Sequence, residues 1–214
     1  MEPRSRGGGR RIRPPWWQVG TMSFVHCARS RIYSAGMQIR AARPSDAGAI
    51  AAIIVPTIRE GATYALDPGM SEAEALAYWM AGDREVFVAE ADGAIVGTYY
   101  MRPNQGGGGR HVCNCGYMTS PAATGRGIAR RMCAHSLDHA RQRGYRAMQF
   151  NFVVSTNERA VRLWQGMEFE IVGRLPGAFR HPAAGFVDAL VMYRTLQARP
   201  RRIGIRAPNC WTRG

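Results

Sequence analysis

Pro121-Ala-Ala-Thr-Gly-Arg-Gly-Ile-Ala-Arg-Arg-Met132 is the stretch from which the rest of the chain is best read. A strand-like run, residues 111–119, precedes it. Behind it Ile128, Met132, Cys133, Leu137 and Ala140 recur at roughly helical spacing. The segment therefore predicts a strand, a tight glycine loop and a helix. Gly125 and Gly127 present no side chain to an approaching ligand. The first turn of the following helix aims unpaired backbone N–H groups and its positive dipole end outward. A diphosphate fits such a place, although two glycines also serve a plain helix entry.

Beyond the loop, residues 147–154 read as a strand in which Met148, Phe150 and Phe152 alternate with polar Gln149 and Asn151. Ser155 and Glu158 have capping-box spacing for a helix over 155–167, and two strands, 169–174 and 187–194, close the body. On the other side, residues 37–42 predict a first strand. Ser45 is placed to cap a helix carrying Ile50, Ile53 and Ile54, which Pro56 ends or bends. Ser71 and Glu74 form a capping box ahead of Ala75, Leu76, Trp79 and Met80. Residues 85–91 and 94–101 are strand-like runs joined at Asp92-Gly93, a dipeptide that takes positive φ readily in a two-residue hairpin turn, and Gly106 to Gly109 make a flexible connection. The order β-α-α-β-β-β-α-β-α-β-β predicts one mixed α/β domain without internal repeats.

The 214 residues suit a single domain with tails. Every one of the 29 basic residues is arginine, and the net charge of +14 gathers at the ends. Residues 1–36 read as a disordered Arg-rich extension, which suits a transit peptide or a translated region upstream of Met37. Residues 196–214 read as a basic tail, and 37–195 as the folded body. The body is only mildly basic, so specific nucleic-acid binding is not expected. Cys27, Cys113, Cys115, Cys133 and Cys210 form no even disulfide framework, and no run is long enough to cross a bilayer. A cytoplasmic protein without membrane attachment is the expectation. His111, Cys113 and Cys115 alternate along one strand face, but no further Cys or His cluster completes four ligands, so no metal is expected.

Thr124-Gly-Arg-Gly-Ile-Ala129 resembles the Q/R-x-x-G-x-G/A signature of the GNAT superfamily of N-acetyltransferases, with Thr124 departing at the first position. Asn157-Glu-Arg-Ala160-Val-Arg-Leu163-Trp164 resembles the N-x-x-A-x-x-x-Y block of the same family and leads into Phe169, with Glu168 in place of a glycine. The body is most similar to phosphinothricin-type or ribosomal-protein-type members. The resemblance implies a single mixed, mostly antiparallel sheet flanked by helices, with a splay between its fourth and fifth strands. It also implies acetyl-CoA as cofactor. Tyr117, Met118 and Thr119 would pair main-chain groups with the pantetheine arm, with an oxyanion donor near Met118. Thr124, Gly125, Arg126, Gly127, Ile128, Ala129 and Arg130 would surround the diphosphate, and Asn157 would hydrogen-bond the cofactor or cap its helix.

Acyl transfer needs a neutral amine in line, a route for its proton, an oxyanion donor and a proton for the departing thiolate. Asn114 stands where relatives carry a carboxylate and could hold a water. Trp164 stands where many place a tyrosine acid. Glu60 and Tyr64 are candidates for the acceptor wall, with His181, Asp188 and Tyr193 of similar standing. The expected activity is direct acetylation of a small-molecule primary amine, in a monomer or homodimer. Protein N-terminal acetylation and non-catalytic acyl-CoA sensing are the alternatives.

Overall fold

The computed structural model describes residues 36–197. In chain order these form β1 (Met37–Ala41), α1 (Ala47–Glu60), α2 (Glu72–Trp79), β2 (Glu85–Ala91), β3 (Ala94–Pro103), β4 (Val112–Thr119), α3 (Ile128–Gln142), β5 (Ala147–Val154), α4 (Glu158–Gln165), β6 (Glu170–His181) and β7 (Gly185–Thr195). The strands make one sheet in the order β1-β2-β3-β4-β5-β7-β6. Each neighbouring pair is antiparallel except β4 and β5. That parallel pair is in register only at Val112↔Ala147 and Cys113↔Met148, so beyond Cys113 the two strands part.

Strand alternation divides the core between the two faces of the sheet. On one face, Tyr99, Met101, Cys113, Cys115, Met148 and Phe150 pack against Ile128, Met132 and Leu137 of α3 and Trp164 of α4. On the other, Val88, Tyr100 and Met118 meet Ile50, Ile54 and Ile58 of α1 and Trp79 of α2. Trp79 is fully buried yet satisfied, because its Nε1 donates to Thr98 Oγ1 at 3.0 Å and that hydroxyl donates to Phe87 O at 2.9 Å.

Local chemistry explains where the elements begin and turn. Asp92 and Gly93 have φ of 51° and 76°, the conformation of a two-residue hairpin turn. Ser71 Oγ accepts from Glu74 N at 3.2 Å while Ser71 N donates to Glu74 Oε2 at 2.8 Å, completing the capping box. Two expected caps fall elsewhere. Ser45 lies inside a short 3-10 turn (Pro44–Asp46), and Asp46 precedes α1 with its carboxylate turned to Arg40. Ser155 N still pairs with Asp188 O of β7, so α4 starts later and Asn157 caps it, Oδ1 accepting from Ala160 N at 3.1 Å. Pro56 sits within α1 without ending it. The carbonyl that lacks its donor belongs to Ala52, which is exposed to water.

β6 continues past 174 to His181, with register shifts where Pro176 and Gly177 fall. Leu196, one residue beyond the expected end of the body, is buried, and its N–H donates to Arg146 O at 2.9 Å. The Arg-rich extension and the basic tail otherwise lie outside the described residues, as do Cys27 and Cys210.

Candidate functional site

Parting of β4 from β5 opens a cleft of about 370 Å³. β4, β5 and α4 line it, and the α1–α2 loop closes it through Thr63, Tyr64 and Leu66. Main-chain alternation determines what β4 offers. Val112 O accepts from Asn104 N and Ser120 N donates to Val96 O, so the even-numbered residues of β4 spend their main-chain groups on β3. Met118 is one of these, in register with Thr98. By this alternation Met118, expected from sequence to offer main-chain groups to a ligand, turns them to β3. Tyr117 and Thr119 are the residues whose N–H and C=O groups face the open side.

Tyr64 reaches this edge from the α1–α2 loop and donates from its hydroxyl to Tyr117 O at 3.0 Å. Burial pushes its phenol well above the ordinary value, so it is protonated throughout the neutral range. Asn114 is 7% exposed and bridges the splay, Nδ2 donating to Gln149 O at 2.9 Å. Gln149 Nε2 donates to Asn151 Oδ1 at 2.8 Å, and Asn151 Nδ2 to Asn104 Oδ1 at 2.6 Å, so a row of amides crosses from β4 to β5. Arg102 lines the same cleft, in register with Asn114, and donates to Asp83 at 3.1 Å.

Trp164 is core material: its ring lies tilted against Tyr117, at 5.1 Å between centroids, and edge-on to Phe150, also at 5.1 Å. The thiols on that face are poorly suited to attack, since burial pushes Cys115 up and Cys133 to about 12. The Tyr117 hydroxyl is engaged with Ser136 Oγ at 2.6 Å.

Where the chain leaves β4, Gly125 and Gly127 have φ of 86° and 74°, a backbone that L side chains rarely adopt. No side chain caps the start of α3, so the N–H groups of its first turn point outward. A Cβ on Gly127 would meet nothing within 4 Å, which leaves room for an anionic group against the main chain. A diphosphate fits this loop, and an extended amide-bearing arm fits the edge of Tyr117 and Thr119.

Side chains of the loop contribute less than the main chain. Thr124 Oγ1 donates within the loop to Ser120 O at 3.5 Å. Arg126 Nη2 lies 3.9 Å from Asp92 Oδ2, both groups on the surface. Ile128 is buried in the core, Ala129 is half-buried and Arg130 is exposed.

The site thus gathers Tyr64, Asn114, Tyr117, Thr119 and Asn157 around one cleft, and residues 124–130 follow where the chain leaves β4 beyond Thr119. Glu60 is exposed at the last turn of α1 and does not line it. His181 and Asp188 serve the β6–β7 hairpin, His181 Nδ1 accepting from Ala183 N and Ala184 N, and Asp188 pairing with Arg174. Asn151 and Arg102 were not singled out from sequence. Asn151 did carry a signal, a polar residue alternating with Phe150 and Phe152 in an interior strand, whereas Arg102 is one arginine among 29.

Residues 57–169 match the family model described as acetyltransferase (GNAT) family. The N-acetyltransferase aca1 of Schizosaccharomyces pombe is 33% identical over 99 residues, 46% of this chain and 47% of that protein. The chain thus spans about half the length of this curated relative. A GCN5-related N-acetyltransferase structure from Kribbella flavida is 40% identical, with a TM-score of 0.72, over 75% of this chain and 98% of that one. A structure from Salmonella typhimurium solved with its cofactor acetyl-CoA shares the fold at a TM-score of 0.68 and 23% identity, over 83% of this chain and 100% of that one.

Proposed function

The chain belongs to the acetyltransferase (GNAT) family, and on that premise we propose that it is an acetyl-CoA-dependent N-acetyltransferase whose acceptor is a primary amine of a small molecule. The observation that carries this is the cleft at the β4–β5 splay, with a β4 edge unpaired by β5 and enclosed polar groups, and a glycine loop leaving that edge. When bound, acetyl-CoA supplies a thioester whose carbonyl carbon takes the amine and whose thiolate leaves. The chain itself does the rest. Tyr117 and Thr119 hold the pantetheine arm by main-chain groups, and the loop from Thr124 through Arg130 receives the diphosphate. Asn157 lines the cleft and spends Oδ1 on its cap, so its Nδ2 is the group that would donate to the cofactor.

Proton handling falls to groups of the cleft. Asn114 is no base, but Oδ1 remains to hold a water while Nδ2 is engaged. The Arg102 guanidinium disfavours a second positive charge nearby and so favours the neutral, nucleophilic form of the amine. Tyr64, kept protonated by burial and set against the Tyr117 carbonyl, donates to the departing thiolate. With Cys115 and Cys133 held as thiols, direct attack is favoured over an acyl-enzyme. Closure of the cleft by Thr63, Tyr64 and Leu66 of the α1–α2 loop favours a compact acceptor over a protein terminus.

Two further elements belong to the proposal. A cytoplasmic setting is supported by the free, buried thiols of Cys113, Cys115 and Cys133, and no helix of the described residues is long and apolar enough to cross a membrane. A homodimer is supported by Val172 and Phe186, 56% and 77% exposed on the β6–β7 hairpin.

The test is thiol release from acetyl-CoA across a panel of small amines and peptides with free N-termini, with products identified by mass spectrometry. Release with small amines supports the proposal, and release confined to peptides favours N-terminal acetylation. Asn114 and Trp164 favour a second reading, acyl-CoA binding without turnover. Calorimetric binding with no thiol released by any amine would decide for it.

A further inference from the structure

β4 and β5 run parallel, so the turns leaving their C-terminal ends lie at the same end of the sheet, on opposite banks of the cleft. One bank is the glycine loop. The other is the start of α4, where Asn157 caps the helix and Arg159 follows in its first turn.

A Cβ built on Gly125 would lie 4.0 Å from Arg159 Nη2. Arg159 is exposed and has no ion pair with a carboxylate among the described residues, whereas its neighbour Arg162 is paired with Glu158 at 2.8 Å. The cations of the opposite bank are turned elsewhere. Arg126 is directed to Asp92. Arg131 Nη2 donates to Met37 O at 3.2 Å. Arg130 Nη1 would lie 3.9 Å from a Cβ on Gly166, just past the far end of α4. Thr124 has a short side chain, and its hydroxyl already donates to Ser120 O.

We propose that Arg159 grips the cofactor's diphosphate from the α4 bank, supplying across the cleft the side-chain contact that Thr124 lacks; this rests on the diphosphate lying at the glycine loop. A guanidinium offers parallel N–H donors matched to phosphate oxygens, and its charge complements the outward N–H groups of α3. Two chain segments far apart in sequence then close on one anion.

The experiment is calorimetry on the full chain with acetyl-CoA, 3′-dephospho-acetyl-CoA and S-acetylpantetheine, comparing wild type, R159A, R159A with T124R, and G127E. Arg159 is on the surface, and thermal melting verifies that R159A is folded. R159A should bind acetyl-CoA roughly tenfold more weakly, the scale of one charge-assisted hydrogen bond. The deficit should persist with the dephospho analogue, vanish with S-acetylpantetheine, shrink as salt is raised and be repaired by T124R. Wild-type affinity in R159A overturns the proposal. In that case G127E separates the two layers: lost binding keeps the diphosphate at the glycine loop, and retained binding removes it from there as well. A deficit that disappears with the dephospho analogue also overturns the proposal, because it assigns Arg159 to the 3′-phosphate.

Discussion

In the proposed mechanism Asn114 and Tyr64 handle the protons without a carboxylate on the central strand. Asn114→Ala removes the amide that crosses to Gln149 O and the oxygen proposed to hold a water. Its turnover should fall about tenfold, roughly 1.4 kcal/mol of barrier, with acetyl-CoA affinity nearly unchanged by calorimetry. An equal loss in both would count against the water-holding role. Tyr64→Phe should lower turnover about 100-fold, the scale of a positioned general acid. It should cost only about 1 kcal/mol of stability for its single hydrogen bond. Thioester donors with more acidic thiols should narrow the Tyr64→Phe deficit; a constant deficit would give Tyr64 a purely structural part. Both residues were visible in the sequence because their positions follow from strand and loop order. Their partners were not, since Tyr117 lies 53 residues from Tyr64 and Gln149 lies 35 from Asn114.

Among elements, α4 is capped by Asn157, the residue also proposed to contact the cofactor. Asn157→Ala should destabilise the fold by about 1 kcal/mol through loss of the cap. Ser71→Ala should cost a similar amount at α2. Only Asn157→Ala should also weaken acetyl-CoA binding, so denaturation and calorimetry on the pair separate capping from contact. Much at this scale could be read in advance: the capping box at Ser71, the hairpin at Asp92-Gly93 and the glycine loop are local chemistry that a few adjacent residues determine. Ser45 and Ser155 misled because a cap depends on where the preceding chain is still held. Asp46 is drawn off by Arg40, and Ser155 is retained by Asp188. The length of β6 was illegible for a related reason, as its residues 170–178, all exposed but half-buried Gly173, have no alternating pattern and are strand by virtue of pairing with β7.

For the whole molecule, acid stability should centre on the junction of β1 and α1. Asp46 accepts from Arg40 Nη1 at 2.7 Å and from Arg43 N at 2.7 Å, and the Arg40 guanidinium holds its carboxyl down at about 2, below the ordinary 3.8. A depressed carboxylate contributes its full share above its unfolded value and loses it as pH falls through the folded one. Urea titrations should therefore show Asp46→Asn weaker by about 2 kcal/mol at neutral pH. The difference should shrink below about pH 4 and be nearly gone at about pH 2, the folded value of Asp46. A constant gap would mean the loss is steric.

The two rungs that join β4 to β5 divide the sheet into a four-stranded leaf and a three-stranded leaf. A ligand arm carrying its own amides would lie between them as an eighth strand, making recognition a late step of folding. Deuterium uptake at the Tyr117 and Thr119 amides should be fast in the free protein and slow once the seam is filled. The two leaves should then lose protection together, with acetyl-CoA acting as the stitch.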